Sequence, residues 1–185
     1  MNVEALFNLH EVRQIDKWKH YFPLYEQHLA PYRNFAKRIL EIGVDHGGSL
    51  QLWKQYFPHA EIVGVDIEPR CKDYTEDRIT VRIGSQTDVA FLESLGEFDI
   101  VIDDGSHNTN DQEISYKTLW PKTKSVYIIE DCHGAYPALN FPPVFYRYPW
   151  MIVVERPTRI IRGTPSRELR PDEADAVALF GVKNV

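Results

Sequence analysis

The chain has 185 residues, of which 43% are hydrophobic and 26% charged, the proportions of a soluble globular protein with one core. Its net charge of -6 at pH 7, without a Lys/Arg block, argues against nucleic acid as the main partner. No apolar run reaches membrane-span length, no signal-peptide pattern opens the chain, and two cysteines, Cys71 and Cys132, form no disulfide framework, so a cytoplasmic protein without a membrane partner is expected.

The first stretch, to about Arg33, is rich in aromatics and histidine (Trp18, His20, Tyr21, Phe22, Tyr25, His28, Tyr32) and reads as helical pieces broken at Pro23 and Pro31. Arg38 to Val44 reads as a buried strand, followed by a helix over Leu50–Tyr56 with Ser49 as its cap. Glu61–Ile67 and Ile79–Ile83 are the next strands, then a helix from about Asp88 to Leu95. Phe98–Asp103 is a fourth strand, Gln112–Trp120 a helix, and Ser125–Glu130 a fifth strand. The proline-rich segment from His133 to Tyr148 predicts a loop. Trp150–Glu155 and Arg159–Ile161 predict a hairpin on one sheet edge, and Pro171–Phe180 a terminal helix.

Strands alternating with helices predict an α/β fold, a Rossmann-like, doubly wound, mainly parallel seven-stranded sheet with helices on both faces. The expected organisation is a single domain over 1–185. Residues 1–35 form an N-terminal helical cap, 36–163 the Rossmann-like core, and 164–185 a tail with a helix.

In such folds sites form at the carboxyl ends of the strands. Two acidic clusters end strands here: Asp103-Asp104-Gly105-Ser106-His107 and Glu130-Asp131. Carboxylate oxygens suit a hard divalent cation, and a neighbouring histidine suits a proton acceptor. Upstream, Glu41-Ile42-Gly43-Val44-Asp45-His46-Gly47-Gly48-Ser49 places glycines between a strand and a helix, where backbone can approach a ligand closely. The spacing is not GxGxxG, which disfavours a dinucleotide. Asp66 ends the next strand, where an acid commonly binds ribose hydroxyls. Together these features predict an adenosine-containing cofactor beside a metal-assisted transfer site. Cys132, next to Asp131 and His133, is a weak zinc signal because no second thiol stands close in sequence.

The runs Glu-Ile-Gly-Val-x-x-Gly-Gly-Ser-Leu, Ile-Val-Gly-Val-Asp-Ile, Ile-Asp-Asp-Gly-Ser-His and Ile-Ile-Glu-Asp resemble the class I S-adenosylmethionine-dependent methyltransferases. More narrowly they resemble the metal-dependent macrolide sugar O-methyltransferases of the mycinamicin and macrocin type, over roughly residues 15 to 131. The segment Asp16-Lys17, His20-Tyr21 and Tyr25 also resembles the stretch preceding that family's core. The resemblance implies S-adenosylmethionine and Mg²⁺ as cofactors. It implies that Glu41, Gly43, Gly47 and Ser49 serve the methionine end of the cofactor, Asp66 the ribose, and Ser85 and Gln86 the adenine side, with Asp103 at the cofactor side of its strand end. It further implies Asp104, Glu130 and Asp131 as metal ligands and His107, beside Asp104, as the catalytic base. The implied acceptor is a small molecule or glycan carrying a sugar hydroxyl. His46, His133, Lys17 and Tyr21 are secondary candidates for lining the site.

The likeness fades after Asp131. Only the segment Cys132–Pro149 separates the fifth strand from the next, shorter than in relatives, and that region shapes the acceptor pocket. A partner subunit, including a second copy of this chain, is one way to close such a pocket. Two other readings stay open on the sequence: an enzyme of the cephalosporin-hydroxylase type, and a non-catalytic cofactor-binding subunit.

Overall fold

The computed structural model describes residues 1–133 and 145–156. In chain order the helices are α1 (Val3–Asn8), α2 (Tyr21–Leu29), α3 (Gly48–Tyr56), α4 (Val89–Ser94) and α5 (Thr109–Leu119). The strands are β1 (Arg38–Ile42), β2 (Glu61–Asp66), β3 (Ile79–Ile83), β4 (Phe98–Asp103), β5 (Thr123–Ile129), β6 (Phe145–Tyr148) and β7 (Met151–Glu155). They form one seven-stranded sheet in the order β3-β2-β1-β4-β5-β7-β6. The first five strands are parallel, and β7 and β6 are antiparallel additions. This is the expected doubly wound architecture. Chain order reverses between β1 and β4, and the crevice at that reversal is where such sheets bind ligands.

Alternation along each strand divides the core between two faces. Ile39, Ile62, Ile100, Ile102, Val126 and Ile128 point to the side covered by α2 and α3, where Tyr21, Tyr25, Leu50 and Trp53 are fully buried. Leu40, Val63, Val101, Tyr127 and Ile129 point to the side of α4 and α5, against Leu92, Tyr116 and Leu119. Along β1, β2, β4 and β5 both faces are buried, which explains why these strands read as apolar runs, whereas β3 is buried on one face and alternates.

Several local expectations are corrected. Pro23 does not break α2. It is the third helical residue, inside the first turn, where a missing N–H removes no intrahelical bond. Pro31 sits in a short 3₁₀ turn, Ala30–Tyr32, that extends the same helix. Ser49 is not the cap of α3. The helix begins two residues earlier than expected, at Gly48 after Gly47 at φ 73°, and the Ser49 hydroxyl turns inward to donate to Glu41 Oε2 at 2.8 Å. The edge hairpin exists, but its partner strand is β6, from the stretch expected to be a loop. The predicted strand Arg159–Ile161 and helix Pro171–Phe180 lie outside the described residues, as does 134–144. Among the described residues no helix is long and apolar enough to cross a membrane.

Gly43, at φ +89°, is where β1 meets the end of β4. A Cβ there would lie 2.0 Å from the Asp104 carbonyl oxygen, a backbone atom that cannot step aside. Gly43→Ala should therefore cost about 3 kcal/mol or more, read as a lowered urea midpoint. Gly96→Ala has a similar φ of +85° but only the tip of Arg38 nearby. It should cost about 1–2 kcal/mol, the left-handed penalty alone.

Candidate active site

A cleft of about 690 Å³ opens at the carboxyl edge of β1 to β5, within the usual size for small-molecule sites. One half is built by the glycine turn and the ends of β2 and β3. Asp66 organises it: Oδ2 accepts from the backbone N–H of Val44 (2.8 Å) and Asp45 (3.2 Å), and Oδ1 from that of Glu68 (2.9 Å). Burial pushes its pKa up, but these backbone donors outweigh burial and hold it below the usual aspartate value. Gln86 joins the end of β3 to the loop after β4. Its Oε1 accepts from Ser106 N at 2.7 Å, and its Nε2 donates to Asp103 Oδ1 at 3.3 Å.

The other half is acidic and is governed by the alternation of the strands. Glu41, Asp104 and Glu130 share a face with Ile39, Ile102 and Ile128, so they converge beneath the N-terminal segment. Lys17 enters from that segment with its side chain 1% exposed. Its ammonium donates to Asp104 Oδ2 at 2.6 Å and Glu130 Oε2 at 2.9 Å, and lies 3.6 Å from Glu41 Oε1. Tyr25 donates to the other Glu130 oxygen at 2.7 Å, and Trp53 Nε1 to Glu41 at 3.0 Å. Burial alone would lower the Lys17 pKa. Asp104 and Glu130, then Tyr25 and Glu41, more than offset it and keep Lys17 protonated. One cation stands against the half-buried Asp104 and the buried Glu41 and Glu130, and burial drives the Glu130 and Glu41 pKa values upward.

Asp131 faces the cleft instead. Its Oδ1 accepts from Tyr21 OH at 2.7 Å and Trp18 Nε1 at 3.1 Å, and its Oδ2 lies 3.7 Å from His107 Nε2. Asp104, His107 and Asp131 each offer a ligand atom within 4.8 Å of the others, an oxygen-rich set that fits a divalent cation. Asp131 (φ 50°) and His107 (φ 58°) both hold left-handed backbone, a strain that clusters at functional sites. His107 Nδ1 is buried with no hydrogen-bond partner among the described residues.

Of the sequence candidates, Gly43, Ser49, Asp66, Ser85, Gln86, Asp104, His107, Glu130 and Asp131 line one cleft, together with Lys17, Tyr21 and His46. Glu41, Gly47 and Asp103 do not. Glu41 is a buried anchor for Lys17, Ser49 and Trp53. Gly47 packs against the Tyr74 ring. Asp103 lies on the α5 side, accepting from Ser115 Oγ, from Tyr127 OH at 3.3 Å and from Gly105 N at 3.4 Å, and burial pushes its pKa up to about 7. Glu130, expected as a metal ligand, has its oxygens engaged by Lys17 and Tyr25. Sequence reasoning assigned no site role to Tyr25 or Trp18 and ranked Lys17 low. Part of the signal was present in the spacing of Tyr21 and Tyr25, which puts two hydroxyls on one face of α2; Lys17 lies before the helix, where no period marks it.

No protein-family model matches the chain. It is 44% identical over 137 residues to the 8-demethyl-8-(2-methoxy-alpha-L-rhamnosyl)-tetracenomycin-C 3'-O-methyltransferase of Streptomyces olivaceus, covering 65% of this chain and 35% of that protein. It is 42% identical over 136 residues to the demethylmacrocin O-methyltransferase of Streptomyces fradiae, covering 65% of this chain and 34% of that one. The chain thus spans about one third of the length of the curated relatives it matches. Among solved structures it is similar to the MycE methyltransferase of the mycinamycin biosynthetic pathway in complex with Mg and SAH, with a TM-score of 0.74 and 28% identity. That match covers 90% of this chain and 58% of the other. These matches bear out the resemblance to the class I methyltransferases of the sugar O-methylating type, and the sheet is the Rossmann-like sheet of that fold.

The buried cluster has a signed consequence for stability. Carboxyls whose folded pKa is raised (Glu130, Glu41, and Asp103 at about 7) stabilise the fold fully below their unfolded pKa of about 4. That contribution is lost as pH rises through the folded values. In chelator, the urea midpoint should be lower at pH 8 than at pH 5. Lys17→Met should cost about 3–5 kcal/mol at pH 8, by leaving buried carboxylates unpaired, and less at pH 5, where they take up protons.

Proposed function

We propose that this chain is an S-adenosylmethionine- and Mg²⁺-dependent O-methyltransferase domain acting on a sugar hydroxyl of a glycoside. The observation that carries the reading is one cleft with two halves. The glycine turn and Asp66 form a nucleoside-type wall, and Asp104, His107 and Asp131 form an oxygen-rich cluster facing it. The relatives named above are O-methyltransferases, one of them of a rhamnosyl tetracenomycin, and MycE was solved with Mg and SAH.

An aliphatic hydroxyl is nearly as weak an acid as water, with a pKa of about 15.7, so a histidine alone cannot deprotonate it usefully. A divalent cation bound at Asp104 and Asp131 would stabilise the developing alkoxide. S-adenosylmethionine would supply the methyl group from its sulfonium. The chain's own residues do the rest. Asp66 and the Gly43 turn seat the nucleoside end. Trp18 and Tyr21 hold Asp131 in place through their N–H and O–H. His107 Nε2, on the cleft side, accepts the hydroxyl proton as the methyl–oxygen bond forms. Lys17 holds Asp104 in register by occupying one of its oxygens. The fixed geometry supplies orientation, a major source of rate enhancement in group transfer.

Methylation of a rhamnosyl glycoside should require a divalent cation and stop in chelator, with S-adenosylhomocysteine binding retained. Asp104→Ala and Asp131→Ala should lower the rate by about 100-fold or more and weaken Mn²⁺ binding measured by electron paramagnetic resonance. His107→Ala should lose a comparable factor in rate while keeping Mn²⁺ affinity. Loss of Mn²⁺ binding in that variant would make His107 a ligand instead of the base. Full activity in chelator overturns the metal reading.

A further inference from the structure

The turn joining β6 to β7 consists of Pro149 and Trp150, and Trp150 has φ +59°. After a proline at the first turn position, a positive φ at the second is the place for glycine or asparagine. A tryptophan there is disfavoured by its own bulk. The hairpin does not need the indole. The Trp150 carbonyl accepts from Cys132 N at 2.9 Å and lies 2.9 Å from Tyr21 OH, and any residue supplies a carbonyl. His20 Nε2 lies 3.3 Å from the Pro149 carbonyl, another backbone contact independent of the ring. The residue stays 43% exposed.

It is not isolated. Its centroid is 5.0 Å from that of Trp18, itself 50% exposed, with His20 at 5.8 Å and His133 at 6.3 Å. Trp18 donates to Asp131 Oδ1 at 3.1 Å. The aromatic surface therefore begins on a candidate metal ligand and runs outward from the cleft to the strained turn. Beyond it lies a shallow hollow lined by His20, Leu24, Tyr148, Pro149 and Trp150.

We infer that Trp18 and Trp150 form a stacking platform for the C–H face of a pyranose ring of the acceptor. A pyranose presents an apolar face bordered by hydroxyls. Two indole faces inclined at 53° to one another, with imidazoles at the edge, match that pattern, in the way binding sites combine apolar walls with a few polar groups. The backbone strain at Trp150 is the independent sign, since a disfavoured residue persists where its side chain is used. The inference rests on the glycoside-methyltransferase reading above.

Saturation-transfer NMR with p-nitrophenyl α-L-rhamnopyranoside, on the full chain with S-adenosylhomocysteine and Mg²⁺, tests it. In the wild type the C–H protons of one pyranose face should receive saturation. In Trp150→Gly that transfer should fall several-fold and the KM for the glycoside rise roughly tenfold, with kcat little changed. Thermal stability should be unchanged or higher, because glycine relieves the turn. A purely structural Trp150 gives the opposite pattern: a lower midpoint with unchanged transfer. Equal transfer in both proteins, saturation of the nitrophenyl ring alone, or no transfer to a wild type that binds S-adenosylhomocysteine each overturns the platform and leaves the methyltransferase reading intact. If S-adenosylhomocysteine itself does not bind, that reading falls, and the platform with it.

Discussion

The Lys17 ammonium holds the carboxyl edge of the sheet together. Glu41, Asp104 and Glu130 come from or directly follow three neighbouring strands, β1, β4 and β5, and all face the same side. Unpaired carboxylates so placed would repel in a low-dielectric interior, where each uncompensated charge costs several kcal/mol. A single buried cation at 2.6–3.6 Å from all three turns that repulsion into a clamp. The clamp is also what fastens the N-terminal segment down. Trp18 and Tyr21 follow Lys17 in sequence and land on Asp131, while Tyr25, one turn further, lands on Glu130. The segment before the Rossmann-like core is therefore part of the site.

The parallel strands were legible because burial on both faces makes them apolar runs, and the strand-end acids stood out against those runs. The face of each acid was also legible in principle. Period-two alternation from Ile102 and Ile128 assigns Asp104 and Glu130 to one face and Asp103 to the other. That parity explains why Asp103 serves Ser115, Tyr127 and Gln86 and does not line the cleft. What periodicity could not convey was the partner. Lys17 is separated from Glu130 by more than a hundred residues, and no local pattern announces a contact of that range.

The misread elements share a physical cause, the positional meaning of proline and serine. Pro23 costs nothing within a first helical turn, and Ser49 finds a buried acceptor in Glu41 that is better than the end of its own helix. β6 was hidden by the prolines around it. Among the described residues it is an edge strand that pairs on one side, with β7, and tolerates poor strand composition that a central strand would not.

The Glu130-Asp131 pair shows how one dipeptide serves two environments. Glu130 continues the alternation of β5 and turns into the dry cluster, where Lys17 and Tyr25 fix it. Asp131 would face the opposite side if the strand continued, but at φ 50° the chain leaves the strand, and its carboxylate swings into the cleft beside His107. The left-handed kink is stabilised from outside the strand by the Tyr21 hydroxyl, which donates to Asp131 Oδ1, accepts from the Asp131 N–H and lies 2.9 Å from the Trp150 carbonyl, with Cys132 N bonded to that same carbonyl. The Pro149–Trp150 turn thus belongs to the same assembly as the acids. The hairpin completes the sheet edge, braces the backbone of Asp131, and leaves its own indole facing outward beside Trp18. Buried charge sets the geometry of the inner half of the site, while the outer half owes its geometry to aromatic residues with polar edges.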